Sequence, residues 1–224
     1  MSKPPRPSIF EHENEPVPGL PETLPDGETM LWQGAPKAGA IARRALHLRG
    51  MALYFVLLGV LRGAALAVDG AELVDAALGG AIMLVVGAVP IGLLAIFAVL
   101  SARTSLYTIT NRRIVMRVGV ALPMTINIPF PLIENAAVSS HADGTGDITL
   151  TLSKPHRVAW LAVWPHTRSF RVARPEPTLR GLVDAPAAAQ VLARALAAQA
   201  DVPVQPMAGD MAEQAAGRGA AVAA

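Results

Sequence analysis

The sequence predicts a membrane α-helical hairpin of two spans followed by an α+β domain, in which antiparallel strands are capped by a C-terminal helix. Three observations support this fold class. Residues 76–102 contain no charged side chain over 27 positions, which is longer than a bilayer crossing requires. Apolar and polar side chains alternate in segments after residue 105, as in antiparallel strands with one wet face. Residues 184–200 then return to helical spacing.

The composition agrees with a chain that lies partly in a membrane. Of the 224 residues, 52% are hydrophobic and 16% are charged, with a mean hydropathy of +0.41; soluble domains carry about 25% charged residues. The net charge is only +2, and the basic residues stand next to apolar segments, which favours contact with a membrane surface over contact with nucleic acid. Because cysteine is absent, no disulfide, thiolate metal site or cysteine nucleophile is expected.

The N-terminal region has two predicted parts. Residues 1–25 are rich in proline, which fixes φ and removes backbone donors, so they predict an extended tail. Residues 26–46 contain one short strand around Trp32, between two turn signals, and then a basic juxtamembrane segment. The first 30 residues do not resemble a cleavable signal, because they lack an apolar core.

Residues 47–102 predict the hairpin. The first span is expected at residues 47–68 and the second at residues 76–102, with the acidic loop 69–75 between them; about 20 apolar residues cross the roughly 30 Å hydrocarbon layer. The outer ends are flanked by arginines that predict contact with the membrane surface: Arg43, Arg44, Arg49, Arg103, Arg112, Arg113 and Arg117. By the positive-inside rule, both termini of this multi-pass chain are expected in the cytoplasm.

Residues 103–200 predict the second domain. The segments RIVMRV and DITLTLS alternate strictly between apolar and polar positions. We expect about five strands between residues 105 and 172, including a more buried strand at residues 157–164. Asp184 is the predicted N-cap of the closing helix. Residues 201–224, which are mostly Ala and Gly, predict a disordered tail.

Several segments resemble one known family. The stretch YTITNRRIVMRVG, residues 107–119, is similar to the strand–turn–strand unit of bacterial pleckstrin-homology-like domains, and PDGETMLWQGAP resembles the strand that opens such proteins. Together with HADGTGDITLTL and WPHTRSFRVARPEPTLRGLVD, these segments resemble the photosynthetic complex assembly protein PuhB family of purple bacteria. That family is often described with three spans, whereas the residues here support two.

The resemblance implies an integral membrane assembly factor for the photosynthetic reaction centre and its core light-harvesting complex, and not an enzyme. It implies the bacterial inner or intracytoplasmic (chromatophore) membrane as the location. The implied partners are reaction-centre subunits, core antenna polypeptides and membrane lipid, with a homodimer also left open. The alternative interpretation is a general membrane scaffold or an anionic-lipid-binding pleckstrin-homology-like protein.

The hairpin contains small residues at helical spacing, one proline and one charge that predict helix packing or partner binding: Gly59, Arg62, Gly63, Ala67, Ala88, Pro90 and Gly92. Small residues let helices approach closely in lipid, so these faces either pack the two spans together or bind a partner's helix. Arg62 either extends its stem towards the interface near Asp69 or pairs with a partner. Pro90 is expected to kink the second span.

Other candidate residues lie outside the spans. The flanking arginines either hold the topology or contact anionic headgroups and partners, and a second basic run at residues 168–180 predicts a solvated face. Trp160 is expected in the domain core. Trp164, at a predicted strand end, is the interface candidate, because a tryptophan buries a large rigid area.

No cofactor or catalytic site is predicted. A bacteriochlorophyll would require a histidine well inside a span. Of the five histidines, His47 lies at the edge of the first span and the other four lie outside both, which leaves only transient pigment contact open. The chain has no P-loop, H-E-x-x-H, G-x-S-x-G or dinucleotide fingerprint. An enzyme is therefore not expected.

Overall fold

The computed structural model describes residues 24–154, 158–168 and 174–200. The predicted tail at residues 201–224 and nearly all of the tail at residues 1–25 lie outside these ranges. The strands and helices are β1 Met30–Gly34, α1 Ala38–Ala40, α2 Leu48–Val68, α3 Leu73–Thr104, β2 Leu106–Thr110, β3 Arg113–Val118, β4 Met124–Pro129, β5 Ile133–Ser140, β6 Gly146–Leu152, α4 Trp160–Val163, β7 Thr178–Leu182 and α5 Ala185–Ala200. A π-helical turn, Ile41–Ala45, joins α1 to the start of α2.

The helices α2 and α3 form the hairpin. They contain 21 and 32 residues, so they are about 31 Å and about 48 Å long. Both are long and apolar enough to cross a membrane, and only 6% and 11% of the residues in their most apolar stretches are buried. A core helix of a soluble protein would be mostly buried. Large apolar side chains point outwards instead, with Leu61 66% exposed and Val85 69% exposed.

The β-domain consists of two antiparallel sheets, ordered β1-β2-β3-β4 and β5-β6-β7. Strand β1, before the hairpin, pairs with β2, after it, so that Met30 faces Thr110 and Gly34 faces Tyr107. The short strand predicted around Trp32 therefore belongs to the same sheet as the strands that follow residue 103. The hairpin is inserted between two neighbouring strands of one domain.

The core of the β-domain is formed by the apolar positions of the alternating segments. Ile114, Met116 and Val118 of β3 and Ile148 and Leu150 of β6 are at most 1% exposed. The side of α5 that carries Ala188, Leu192 and Ala195 closes this core. Each large aliphatic side chain removed from water in this way stabilises the fold by about 1.5–3 kcal/mol.

The predicted helix cap is confirmed. The backbone N–H of Ala187 donates to Oδ1 of Asp184 at 3.1 Å, which satisfies one of the free donors in the first turn of α5. The HADGTG segment likewise forms the predicted hairpin end, because β5 ends at Ser140 and β6 begins at Gly146.

One local prediction is wrong, and one strand was not predicted. Residues 157–164 were expected as a buried strand, but the described part of this segment contains the single helical turn α4. A short run that is apolar on both faces does not distinguish strand from helix by periodicity alone. Strand β7, which was not predicted, carries its buried residues Leu179 and Leu182 three positions apart, because Gly181 adopts a φ of 66° and the register with β6 shifts there.

Candidate functional site

The two long helices meet along a seam of small residues. An ideal Cβ at Gly59 would lie 2.9 Å from the backbone oxygen of Gly80, and one at Gly63 would lie 3.0 Å from that of Ala76. On α3, a Cβ at Gly87 would overlap the ring of Phe55. Any larger residue at Gly59 or Gly63 would push the backbones apart. The interpretation of these two glycines as the contact between the spans agrees with this geometry.

The small residues predicted on α3 do not lie in this seam. Ala88 and Gly92 are exposed, and an added Cβ at Gly92 would meet nothing within 4 Å. On α2, Ala67 is exposed as well. Of the two alternatives for Ala88 and Gly92, packing against the first span does not agree with this geometry, and binding of a partner's helix stays a prediction. Helical spacing shows that a small face exists but does not show which neighbour it meets, and these three residues are on the outer surface of the hairpin.

Arg62 and Pro90 occupy different environments. Arg62 is exposed on α2 and forms no ion pair with any residue in the described part of the chain, Asp69 included. It lies six residues before Val68, or about 9 Å from the end of the helix. Pro90 is half-buried within α3, which is assigned as one continuous helix from Leu73 to Thr104.

The last turns of α3 extend past the start of α2 and carry the β-domain. Gly59 of α2 lies against Gly80 of α3. Leu48, the first residue of α2, is eleven residues before Gly59, so it is level with Ile91, which is eleven residues after Gly80. About 20 Å of α3 therefore lies beyond the first residue of α2. The buried residues Ile41, Leu46 and Ala98 form a second, smaller apolar cluster around this extension, with Leu94, Phe97 and Ala102 packed against it.

A buried histidine joins this extension to both sheets. His166 is 0% exposed, and its Nδ1 lies 2.6 Å from the hydroxyl of Tyr107 in β2. Its Nε2 lies 3.2 Å from Oγ of Ser101, in α3, and 3.0 Å from Oγ of Ser105. The Tyr107 oxygen also accepts the backbone N–H of Arg180, in β7, at 3.3 Å.

The network assigns a neutral tautomer to His166. Because the Tyr107 hydroxyl proton needs an acceptor, Nδ1 is the acceptor and Nε2–H donates to the serine hydroxyls. Burial, and to a smaller extent the positive charge of Arg180, lower the pKa of His166 to about 3. Burial also raises the pKa of Tyr107. Both side chains are thus uncharged near neutral pH and act as fixed hydrogen-bonding links between hairpin and domain.

Arg180 is the most deeply buried of the described arginines in the second basic run. It is only 4% exposed, and its Nη2 donates to the backbone oxygen of Thr167 at 2.5 Å. Burial lowers its pKa, and the nearby Asp147 opposes that effect. The expectation that residues 168–180 form a solvated face is therefore wrong for Arg180. The sequence did not predict His166 or Arg180 as residues of the junction, because their partners are distant in the chain.

A polar cavity of about 400 Å³ lies beside this network. Its lining includes Arg44, Arg168 and Arg180 together with His141 and Asp147. Oδ2 of Asp147 lies 3.2 Å from His141 Nε2, and its Oδ1 accepts the backbone N–H of Gly181 at 2.7 Å. In the described part of the chain, no group of three or more His, Cys, Asp or Glu residues is arranged to hold a metal ion.

The predicted membrane-surface arginines Arg43, Arg44 and Arg113 have carboxylate partners within the described part of the chain. Arg113 forms a two-point ion pair with Glu28, at 2.8 and 3.0 Å, and the Glu28 side chain is only 3% exposed. Arg43 and Arg44 both pair with Asp143. These contacts explain the three arginines by packing within the β-domain.

The other flanking arginines differ in position. Arg49 and Arg103 are exposed at the ends of α2 and α3, and their role at a membrane surface stays a prediction. Arg117 pairs across the sheet with Leu106, the first residue of β2. Arg112 is exposed in the turn at the opposite end of β2, away from α3.

Trp164 lies against the hairpin. Its ring stacks on Phe97 of α3, with ring centroids 5.3 Å apart and planes at 26°, and it remains 37% exposed. Trp160 lies 6.3 Å away from it and is half-buried outside the main core. The interface assigned to Trp164 is thus, within this chain, a contact between the β-domain and α3.

Comparison with known proteins agrees with this architecture. The model of a family described as the bacterial PH domain matches residues 52–199, which include most of the hairpin and the strands after it. The chain belongs to the bacterial PH domain family. The match begins after β1, although β1 completes the first sheet. No solved structure matches this chain.

One relative extends the comparison to most of the chain. It is a protein of Rhodobacter capsulatus described as an uncharacterized 23.7 kDa protein in the puhA 5′ region. The two are 32% identical over 197 residues, which cover 88% of this chain and 92% of the relative. Together with the family match, this relative supports the resemblance to the PuhB family that the sequence motifs indicated.

Proposed function

We propose that this protein is an integral membrane assembly factor for the photosynthetic reaction centre and its core light-harvesting complex. It acts through protein–protein contacts of its spans and of a β-domain held at the cytoplasmic surface. The hairpin crosses the inner or intracytoplasmic membrane with both termini in the cytoplasm. Reaction-centre subunits and core antenna polypeptides are the partners, and the protein is not an enzyme.

The observation that carries this proposal is the exposed Arg62 on an otherwise apolar helix surface. Within the described residues it has no ion-pair partner, and a cation at the centre of a span costs about 2.5–3.5 kcal/mol on insertion scales, less near an end. A polar or acidic group on a partner's helix would offset that cost. The outer residues Ala88 and Gly92 provide a place where such a helix could approach closely.

The photosynthetic setting is supported by the resemblance and by the relative from Rhodobacter capsulatus. The described location of that relative, in the puhA 5′ region, suggests a photosynthetic gene context. Transfer of this context to the present chain is part of the proposal. No cofactor is proposed, because the histidine at the junction uses both ring nitrogens within the protein.

Affinity purification from photosynthetically grown membranes tests the proposal. The tagged full chain should recover reaction-centre and core-antenna polypeptides, and Arg62→Leu should reduce that recovery several-fold at equal membrane content. Arg112→Leu, which removes an exposed arginine at the far end of β2, is the matched control and should leave recovery unchanged. Absence of both classes of polypeptide, even after mild crosslinking, would contradict the proposal.

The alternative function, a scaffold that binds anionic lipid, predicts a different result. Association of the β-domain with the surface would then depend on headgroup charge, with no photosynthetic polypeptide recovered. The full chain in neutral and anionic nanodiscs is the suitable material, because a fragment starting at residue 103 would lack β1. The carboxylate partners of Arg43, Arg44 and Arg113 leave fewer basic groups for headgroups than the sequence indicated.

A further inference from the structure

We propose that the β-domain has its own membrane-contact surface, formed by Leu122, Trp160, Leu161 and Trp164, which lies in the interfacial layer of the leaflet that the hairpin enters. The occupant of this interfacial surface is the lipid bilayer itself. The inference rests on the membrane placement of the hairpin proposed above. It adds a third point of attachment, which neither spans the bilayer nor belongs to α2 or α3.

The position of Trp164 along α3 fixes its depth. Trp164 stacks on Phe97, which lies six residues before the exposed Arg103 and six residues after Ile91, the position level with the start of α2. Each interval corresponds to about 9 Å along the helix axis. Exposed arginines bracket this level, with Arg49 below it and Arg103 above it. Trp164 is therefore held at the height of the headgroup layer.

The helical turn α4 presents an apolar side chain outwards. This helical turn buries Val163, which is 0% exposed, while Leu161 is 81% exposed on its outer side. Trp160 directly precedes Leu161, and Trp164 follows it three residues later. The ring centroids of the two tryptophans are 6.3 Å apart. Tryptophan is enriched at membrane–water interfaces, because its amphipathic ring has one apolar body and one polar N–H. An exposed leucine beside two such rings matches an interfacial contact.

A second apolar element lies at the same end of the domain. The register pairs Arg117 with Leu106, the first residue of β2 after α3, so the turn that follows β3 also lies at that end. Leu122, in this turn, is 79% exposed, and Met124 is 42% exposed. The turn at the other end of β2, with Asn111, is polar and makes hydrogen bonds to Gly27 and Thr29.

Site-directed spin labelling of the full chain in phosphatidylcholine–phosphatidylglycerol vesicles tests this surface. Because the chain has no cysteine, single substitutions give unambiguous sites. Leu161→Cys and Leu122→Cys report the interfacial surface. Leu31→Cys is the matched control, since Leu31 is 43% exposed in β1 near the opposite end of the sheet. Tyr54→Cys, 58% exposed on α2, reports the hairpin.

The expected result is a graded accessibility. Labels at positions 161 and 122 should be relaxed several-fold more by oxygen, and several-fold less by a water-soluble nickel chelate, than the label at position 31. The label at position 54 should be deeper still. If either position 161 or position 122 matches position 31 while position 54 is shielded, the interfacial surface is overturned and the hairpin placement stands. If position 54 is open to the nickel chelate, the hairpin placement fails and the inference fails with it.

Discussion

The hairpin and the β-domain use the same apolar residue types in opposite ways. In the β-domain, Ile114, Met116 and Leu150 point inwards and are fully buried. In the hairpin, Leu61 and Val85 point outwards, and the helices touch only along a narrow seam. The difference agrees with a hairpin that lies in lipid, since apolar side chains are driven inwards in water but have no such drive in lipid.

The two regions also hold their elements together differently. The sheets and α5 are joined by large aliphatic side chains that interdigitate. The helices α2 and α3 approach backbone to backbone at glycine, where the contact depends on the absence of a side chain. Between the two regions, the His166 network supplies directional hydrogen bonds. Each kind of contact predicts a different response to substitution.

The largest expected effect comes from placing a charge on the exposed surface of the hairpin, compared with the same change on the exposed surface of the β-domain. Val85→Arg, at a position 69% exposed on α3, should cost about 2.5–3.5 kcal/mol in membrane insertion. Leu31→Arg, at a position 43% exposed in β1, should cost little, because water already surrounds it. The fraction of chain retained in membranes after carbonate washing measures both. If the two variants are retained equally, the proposed difference between the surfaces of the two regions is contradicted.

Enlarging a glycine of the seam should have the next largest effect. Gly59→Leu forces a side chain against the backbone of Gly80 and should destabilise the hairpin by about 1–3 kcal/mol, the usual cost of overpacking. Gly92→Leu enters open space and is the matched control. Unfolding of the detergent-purified protein, titrated with SDS, gives both values. If Gly92→Leu is destabilised as much as Gly59→Leu, the two helices do not make their close contact at Gly59.

Acid should weaken the junction through His166. The folded-state pKa is about 3, against 6.5 for the unfolded chain, so from pH 6.5 down to pH 3 the unfolded state binds a proton that the folded state does not. Stability therefore falls as the pH falls through this range, by about 2 kcal/mol between pH 7 and pH 5.

Unfolding of the wild type and of His166→Gln at the two pH values measures this contribution. The glutamine variant keeps a neutral hydrogen-bonding side chain and should lose about 2 kcal/mol less of its free energy of unfolding between pH 7 and pH 5. If both proteins lose the same amount, the acid sensitivity does not come from His166.

The smallest effect is expected at the helix cap of the β-domain. Asp184→Ala removes the acceptor for the Ala187 N–H and should lower the free energy of unfolding by about 1 kcal/mol. The N-cap residues of α2 and α3, His47 and Glu72, make no side-chain capping bond. Glu72→Ala should therefore change stability less than Asp184→Ala, and the reverse order in thermal unfolding would refute the comparison.

The features predicted from sequence are those with a local signal. The spans follow from unbroken apolar length, the β3 and β6 core residues from period two, and α5 from its periodicity and its cap. The junction has no such signal. His166 and Tyr107 are 59 residues apart in the chain, and Arg180 and Tyr107 are 73 apart. The outward position of Ala88 and Gly92 has no local signal either, because the face that meets a neighbour is decided by packing and not by spacing.

Topology mapping with a membrane-impermeant maleimide tests the central claim most directly. Glu72→Cys, Val85→Cys and Lys154→Cys can each be made in the cysteine-free chain. The account predicts that position 72 is labelled only from the periplasmic side, that position 154 is labelled only from the cytoplasmic side, and that position 85 is labelled only after the membrane is dissolved. Labelling of positions 72 and 154 from the same side, or of position 85 in intact membranes, would contradict it.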